Sequence, residues 1–270
     1  MTDLIYGTAW KELDTERLTR LALEAGFRAI DTANQRKHYF EAAVGAAVAQ
    51  AIKDGVVKKG EVFLQTKFTY VNGQDHRLPY DASADYTTQV RQSFASSQEH
   101  LQVDVIDSYV LHGPSMRMGI APADIEVWRA MEELHAAGKT RVLGVSNVAL
   151  DQLQSLCKQA KVMPSYVQNR CYARSGWDKE VRAFCRDHQI VYQGFSLLTA
   201  NRAELNRPVF STLVNQLAKT PAQVVFRFAQ QVGMRPLTGT TNPTHMREDL
   251  QLNFELSKQD LRTIEDIALH

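Results

Sequence analysis

Short apolar runs alternate with longer amphipathic segments along the whole chain, and this alternation restricts the fold more than any other feature of the sequence. Apolar runs of strand length lie at residues 4–8, 28–31, 62–67, 106–112, 141–145, 165–168, 190–194 and 234–238. Eight β-then-α units within 270 residues match a (β/α)₈ TIM barrel. A doubly wound sheet is the alternative, but no G-x-G-x-x-G follows the first apolar run.

The segments between these runs predict helices. Helical periodicity is present at residues 15–25, 41–54, 84–100, 125–137, 178–188 and 222–231. Gly26 and Gly138 stand where a helix C-terminus needs a left-handed residue, and Thr220-Pro221 places a proline in the first turn of a helix. No low-complexity tract or flexible linker interrupts the series. We therefore expect residues 1–270 to form a single barrel domain.

Composition excludes several classes of protein. Hydrophobic residues make up 44% of the chain and charged residues 23%, which is ordinary for a soluble globular protein. A net charge of +1 offers no reason to expect a nucleic acid or an anionic membrane as partner, and no partner protein is evident. No run approaches the roughly 20 apolar residues that a membrane span needs, and the N-terminus lacks the basic region of a signal peptide. We expect a cytoplasmic protein.

Cysteine usage supports the same expectation. The chain has three cysteines, Cys157, Cys171 and Cys185, and no C-x-x-C spacing. An odd number without metal-ligand spacing favours neither a disulfide framework nor a zinc site. The sequence therefore predicts a reducing compartment and no bound metal.

Polar or aromatic residues stand at or just after the end of most of the predicted strands. In a (β/α)₈ barrel the C-terminal strand ends share one face, where active sites form. Each residue alone has a structural explanation, such as capping the next helix or packing in the core. Their joint occurrence predicts a functional site at this mouth, formed by Asp31, Lys67, His112, Ser146, Asn147, Gln168, Phe195 and Ser196.

Several motifs, in order along the chain, resemble the aldo-keto reductases. The segments that carry the resemblance are residues 7–11, 26–33, 101–114, 144–147 and 219–225, followed by Asn242-Pro243 and residues 247–250. Gly-Val-Ser-Asn alone would be a weak signal, but the ordered set spans nearly the whole chain. The resemblance implies a (β/α)₈ barrel that binds a nicotinamide dinucleotide and reduces aldehydes or ketones by hydride transfer.

The resemblance also implies four catalytic residues. Tyr39 would donate a proton to the developing alkoxide, and His112 would orient the carbonyl oxygen. A free phenol, with a pKa of about 10, is a weak acid at neutral pH. Lys67 would lower that pKa through its positive charge, and Asp31 would pair with Lys67 and keep it protonated.

A set of residues spread over the strand ends would hold the cofactor, NADP(H) or NAD(H). By resemblance, Ser146, Asn147 and Gln168 bind the nicotinamide carboxamide, Phe195 stacks on the ring and Ser196 meets the pyrophosphate. The full predicted set is Thr8, Asp31, Ser146, Asn147, Gln168, Phe195, Ser196, Leu198, Gly239, Thr240, Thr241, His245, Glu248 and Asp249.

The residues after the eighth strand leave the choice of cofactor open. Gly239 stands where the family commonly has a lysine, and His245 stands where it has an arginine for the 2′-phosphate of NADPH. Arg247 or Arg202 could compensate. Glu248 and Asp249 are equally compatible with adenine contact and with plain helix surface.

The substrate is expected to be a small carbonyl compound bound by Trp10, Tyr39, His112 and Gly113. Trp10 fits either a pocket wall or rim packing. Gly113 replaces the bulky aromatic that often follows the catalytic histidine, which predicts a roomier pocket. The Gly-, Asn-, Asp- and Pro-rich segment 70–85 is either a specificity loop or a solvated connection.

The position of Tyr39 is the main departure from the family pattern. It follows Asp31 by eight positions, farther than in the family, and Arg36 takes the usual place. An insertion within residues 34–38 accounts for the shift, since loops after barrel strands tolerate insertions. Two hypotheses remain at this point. The chain is an NAD(P)H-dependent carbonyl reductase, or it is a catalytically impaired nucleotide-binding barrel that acts as a regulatory subunit.

Overall fold

Eight parallel strands close into a barrel. The computed structural model describes residues 4–269. The strands are β1 Ile5–Gly7, β2 Ala29–Asp31, β3 Phe63–Phe68, β4 Ile106–Leu111, β5 Thr140–Ser146, β6 Tyr166–Arg170, β7 Val191–Phe195 and β8 Met234–Thr238. Each strand pairs with the next along the chain, and β1 pairs with β8, with Tyr6 beside Thr238. The predicted (β/α)₈ barrel is confirmed, and each strand lies at a predicted apolar run.

Helices surround the barrel. They are α1 Thr15–Ala25, α2 Glu41–Lys53, α3 Tyr86–Leu101, α4 Pro122–Ala136, α5 Leu150–Gln159, α6 Lys179–Asp187, α7 Arg202–Leu205, α8 Pro208–Leu217, α9 Pro221–Gln231, α10 Pro243–Asp249 and α11 Lys258–Glu265. Short 3₁₀ turns lie at Glu12–Asp14, Val71–Gly73, Ala173–Asp178, Thr199–Asn201 and Ile267–Leu269. The six predicted helices correspond to α1–α4, α6 and α9, within a few residues.

The helix boundaries follow from the local sequence. Gly26 ends α1 in a left-handed conformation, with φ of 116°, which an L side chain would strain. Thr220 begins α9, because its side chain accepts a hydrogen bond from the backbone N–H of Gln223, and the Gln223 side-chain oxygen accepts one from the backbone N–H of Thr220. These signals set where α1 ends and where α9 begins.

The barrel interior has an apolar layer and a polar layer. Ile5, Ala29, Phe63 and Leu237 form the apolar layer. A layer of buried amides includes Gln65 and Gln193, whose side chains hydrogen-bond to each other at 2.8 and 3.1 Å. Buried amides need partners, so this layer is fixed in place and provides a rigid polar floor beneath the strand ends.

The three cysteines of the described residues are free thiols and do not form a metal-binding group. Cys171 and Cys185 are buried, and burial raises the pKa of each thiol to about 12. Between residues 4 and 269, no group of three or more His, Cys, Asp or Glu side chains could hold a metal ion. The same part of the chain contains no helix that is long and apolar enough to cross a membrane.

Candidate active site

A buried ion pair joins the ends of β2 and β3. Lys67 Nζ lies 2.7 Å from each carboxylate oxygen of Asp31 and 2.8 Å from the carbonyl oxygen of Thr32. The side chains of Lys67 and Asp31 are 0% and 4% exposed. An ammonium has three protons to donate, so these three contacts use all of them. Lys67 is therefore held in one position beneath the mouth of the barrel.

Two glutamines of the amide layer complete the surroundings of Asp31. Gln65 Nε2 donates to Asp31 Oδ1 at 2.7 Å, and Gln168 Nε2 donates to the same oxygen at 2.9 Å. These donors stabilise the carboxylate in a site with little water. The sequence analysis assigned no role to Gln65. The available signal was an amide inside an otherwise buried strand, where it must find a polar partner.

Tyr39 lies beside Lys67 and His112 despite the longer loop that precedes it. Its ring centroid is 5.2 Å from Lys67 Nζ and 6.0 Å from the His112 ring, which meets it edge-on. The backbone N–H of Tyr39 donates to Gln35 O at 2.9 Å. A turn within residues 34–38 thus takes up the additional length and places the phenol at the mouth.

The pKa of the Tyr39 phenol differs from the sequence-based expectation. Burial raises this pKa well above its usual value, and the negative charge of Asp31 raises it further. The expectation of a lowered pKa is therefore wrong, because burial and the Asp31 charge both raise it. Burial also lowers the pKa of Lys67, while Asp31 acts in the opposite direction. The phenol stays protonated, which is the form that a proton donor needs.

His112 is a neutral imidazole at physiological pH. Burial lowers its pKa to about 3, with further lowering by the charges of Lys67 and His38. Its Nδ1 lies 2.7 Å from the hydroxyl oxygen of Thr69. If that hydroxyl donates to Nδ1, the ring proton is on Nε2. In this tautomer His112 is a hydrogen-bond donor for a carbonyl oxygen.

A cleft of about 540 Å³ extends from Tyr39 and His112 across the ends of β5 to β8. Of the predicted cofactor residues, twelve line this cleft: Asp31, Ser146, Asn147, Gln168, Phe195, Ser196, Leu198, Gly239, Thr240, Thr241, His245 and Asp249. Thr8 and Glu248 do not. The Thr8 hydroxyl is buried and donates to Asp31 O at 2.9 Å, so it ties β1 to β2. Glu248 is half-buried on α10 and does not line the cleft.

The amides at the ends of β5 and β6 already donate their protons within the protein. Asn147 Nδ2 donates to His112 O at 2.7 Å, and Gln168 Nε2 donates to Asp31 and Gln193. Within residues 4–269, neither Asn147 Oδ1 nor Gln168 Oε1 accepts a hydrogen bond, because the hydrogen bonds of both side chains are those that their amide nitrogens donate. Two free acceptors at the cleft suit the N–H₂ of a carboxamide. This donor set fits the predicted nicotinamide position.

Three residues that line the cleft have a left-handed backbone. They are Trp10, Asn147 and Ser196, with φ of 61°, 50° and 57°. This conformation is costly for residues other than glycine and concentrates at functional sites. The indole of Trp10 is 71% exposed and lies over His38, with ring centroids 3.9 Å apart. Trp10 therefore forms part of the rim as well as the wall of the mouth.

Lys11 is a cleft residue to which the sequence analysis gave no role. Its Nζ donates to Gly239 O at 2.8 Å, and a Cβ built on Gly239 would be 3.6 Å from that nitrogen. Burial lowers the pKa of Lys11 to about 8. The ammonium thus lies beside the position where the family commonly has a lysine. Lys11 is part of the Gly7–Lys11 motif, but its contact partner Gly239 lies near the other end of the sequence.

Asp249 is a buried carboxyl at the β8 side of the cleft. Its Oδ2 accepts a hydrogen bond of 2.8 Å from the Thr238 hydroxyl. Burial raises its pKa from 3.8 to about 6, although the Thr238 hydrogen bond and His245 oppose the shift. At neutral pH this site therefore contains a negative charge that is disfavoured by burial.

Substituting Asp249 by asparagine should stabilise the protein in a pH-dependent way. Because the folded pKa is raised, the ionised carboxyl destabilises the fold above about pH 6, and protonation relieves this as pH falls. We expect Asp249→Asn to increase the free energy of unfolding by about 2 kcal/mol at pH 8, less at pH 5 and by almost nothing near pH 4. Urea unfolding of both proteins at each pH measures this. An equal change at every pH would contradict the origin in charge burial.

Comparison with known protein families agrees with this arrangement. The model of the Aldo/keto reductase family matches residues 4–269. The chain belongs to the aldo/keto reductase family. Relatives of this family member include Protein REDOX 2 of Catharanthus roseus, which is 30% identical over 97% of this chain and 84% of its own length. Prostaglandin F synthase 1 of Bos taurus is 28% identical over 92% and 81%.

A solved structure with the same fold is that of an aldo-keto reductase enzyme from a Medee basin deep-sea metagenome library. It superposes on this family member with a TM-score of 0.84, covering 99% of this chain and 91% of the other, at 22% sequence identity. At that identity the likeness shows the shared barrel fold. The relatives carry the names of oxidoreductases, and the family resemblance inferred from the sequence motifs is confirmed.

Proposed function

We propose that this protein reduces an aldehyde or ketone to an alcohol, with NADPH or NADH as the reductant. The observation that carries the proposal is the position of Tyr39, which lies between Lys67 and His112 at one end of the large cleft. When bound, the nicotinamide supplies a hydride to the carbonyl carbon. The protein must then donate a proton to the carbonyl oxygen and hold that oxygen in position.

Tyr39 supplies the proton and His112 holds the oxygen. Because the pKa of the phenol is raised, the proton stays on the phenolic oxygen until a stronger base is present. An alkoxide that forms at the carbonyl is such a base. His112 donates from Nε2 and stabilises the same oxygen. Lys67, fixed by Asp31, provides positive charge near the phenolate that remains.

The cofactor would lie along the cleft, held by residues at the ends of β5 to β8 and by Lys11. Asn147 and Gln168 offer carbonyl acceptors for the carboxamide, and the half-buried ring of Phe195 offers a face for stacking. Ser196, Thr240 and Thr241 offer hydroxyls for phosphate oxygens. Lys11 supplies a cation beside Gly239, which partly replaces the missing lysine after β8.

Replacing Lys11 by methionine should weaken cofactor binding. A charge-assisted contact with phosphate contributes about 1.5–3 kcal/mol, so we expect the dissociation constant for NADPH to rise about tenfold or more at pH 7. In the unaltered protein, affinity should fall as pH rises through about 8, where Lys11 loses its proton. Fluorescence titration between pH 6.5 and 9 measures both effects.

The matched control for this prediction is Lys59→Met, which removes an exposed lysine far from the cleft. Lys59→Met should leave affinity and its pH dependence unchanged, and Lys11→Met should show no step near pH 8. Unaltered cofactor affinity in Lys11→Met would exclude Lys11 from the phosphate site. Equal affinity for NADH and NADPH would indicate that nothing recognises the 2′-phosphate.

Absorbance of NADPH and NADH, followed with a panel of aldehydes and ketones, tests the proposed activity. We expect cofactor oxidation that depends on the carbonyl compound. Binding of the cofactor without turnover of any carbonyl compound would support the regulatory alternative instead. Two sequence features supported that alternative, the displaced tyrosine and the altered phosphate grip, and the position of Tyr39 beside Lys67 and His112 argues against the first.

A further inference from the structure

Gln35 organises the loop that lies between β2 and α2. Its backbone oxygen accepts hydrogen bonds from the N–H groups of His38 at 3.1 Å and Tyr39 at 2.9 Å. Its side-chain Nε2 donates to Gly73 O at 2.5 Å, and its Oε1 lies 3.0 Å from His38 Nδ1. Every polar group of this side chain thus has a partner, and the loop is fixed relative to the turn after β3.

These contacts determine which nitrogen of His38 carries the proton. Since Gln35 Nε2 must donate to the carbonyl of Gly73, the atom that faces His38 is Oε1, which can only accept. His38 Nδ1 must therefore donate, and in the neutral ring Nε2 is left as an unprotonated acceptor. Burial and the charge of Lys37 lower the pKa of His38, which favours this neutral form at pH 7.

His38 lines a second cavity, which it shares with the proposed catalytic residues Tyr39 and His112. This cavity, of about 360 Å³, is lined by Trp10, His38, Tyr39, Asn72, His112 and neighbouring residues. Among residues 4–269, His38 Nε2 has no hydrogen-bond partner. The ring contacts Trp10 at an interplanar angle of 38°, and the backbone N–H of Trp10 donates to His38 O at 2.8 Å.

The cavity is polar but uncharged. Within the described part of the chain, its walls contain amides, imidazoles, hydroxyls and aromatic rings, and no Lys, Arg, Asp or Glu. A carboxylate or phosphate on the substrate would meet no cation there, whereas a hydroxyl would meet an acceptor at His38 and donors at the amides. The lining therefore fits a neutral, hydroxylated molecule.

We propose that His38 is a specificity-determining residue that accepts a hydrogen bond from a substrate hydroxyl near the carbonyl. The inference rests on the proposed reductase function and narrows its substrate class to neutral hydroxy-aldehydes and hydroxy-ketones. The carbonyl oxygen lies with Tyr39 and His112, which donate, and the hydroxyl lies with His38 Nε2, which accepts. A substrate with an alkyl group in place of the hydroxyl leaves this half-buried acceptor without a substrate partner.

Pairs of substrates that match in size test the proposal. Glycolaldehyde and propanal have the same number of heavy atoms, as do hydroxyacetone and butanone. We expect kcat/KM of the unaltered protein to favour the hydroxylated member of each pair by about tenfold or more. His38→Phe keeps an aromatic ring against Trp10 but removes the acceptor nitrogen. The ratio of kcat/KM between the two members of each pair should therefore approach one in this variant. His38→Gln keeps an acceptor oxygen and should recover part of the preference.

His76→Phe is the matched control, because His76 is an exposed histidine in the loop after β3. It should keep the ratio of the unaltered protein, and melting temperatures of all variants show whether they are folded. A ratio near one in the unaltered protein, or an unchanged ratio in His38→Phe, would overturn the proposal while turnover of propanal still upholds the reductase function. Absence of turnover with all four compounds and with the wider panel would instead contradict that function.

Discussion

Replacing Tyr39 by phenylalanine is expected to lower kcat for carbonyl reduction about 10³-fold, because a positioned general acid contributes about 10²- to 10⁴-fold. Phenylalanine keeps the ring that meets His112 edge-on and lies 5.2 Å from Lys67 Nζ. Cofactor affinity and the free energy of unfolding should therefore change little. Steady-state kinetics, a fluorescence titration with NADPH and a urea unfolding curve measure the three quantities separately.

Tyr172→Phe provides the matched control for this substitution. Tyr172 is a half-buried tyrosine just after β6, and its ring contacts the guanidinium groups of Arg170 and Arg174. The same loss of a hydroxyl there should leave kcat within about twofold, because the phenol lies outside both cavities of the mouth. Activity of Tyr39→Phe within a few-fold of the unaltered protein would exclude Tyr39 as the proton donor.

The second large effect is expected from Lys67→Met, which should cost about 3–5 kcal/mol of unfolding free energy and abolish activity. Removing one partner of a buried ion pair leaves the other charge without compensation. Asp31 would retain the Gln65 and Gln168 hydrogen bonds, but it would lose both contacts with the ammonium, and Thr32 O would lose the third. Urea unfolding at pH 7 measures the loss of stability.

A double-mutant cycle separates the ion pair from simple loss of packing. Lys67→Met combined with Asp31→Asn should be less destabilised than the sum of the two single variants, with a coupling of about 2 kcal/mol or more. The exposed pair Lys179–Glu265 serves as control, since Lys179 is 67% exposed. Lys179→Met should cost about 0.5 kcal/mol or less. Additive effects of Lys67→Met and Asp31→Asn would contradict a strong coupling between these two charges.

The barrel could be predicted from the sequence because the signals that specify each strand and each helix lie within that segment of the chain. Each strand is a short apolar run and each helix has its own periodicity and boundary residues, so the order of elements is readable without knowledge of distant contacts. The convergence of Asp31, Lys67 and His112 also followed, since the C-terminal ends of parallel strands meet at one face. The structure brings these three residues together as expected.

The features that could not be predicted depend on contacts between distant parts of the chain. The pKa of Tyr39 is raised by burial that several loops create together, and no local pattern reports this. Lys11 reaches Gly239 at a separation of 228 positions, so its role in the cleft was hidden. Thr8 stands at a strand end like true cleft residues, but its hydroxyl turns to Asp31 O.

Transfer of a labelled hydride is the most direct test of the central proposal. The purified protein is given NADPH or NADH carrying deuterium at one C4 position of the nicotinamide, together with a reactive aldehyde, and the alcohol is analysed by mass spectrometry. With one of the two C4 labels we expect one deuterium on the former carbonyl carbon for each cofactor oxidised, and almost no labelled alcohol from Tyr39→Phe. Cofactor oxidation that yields unlabelled alcohol with both C4 labels, or no alcohol from any carbonyl compound, would contradict direct hydride transfer at this site.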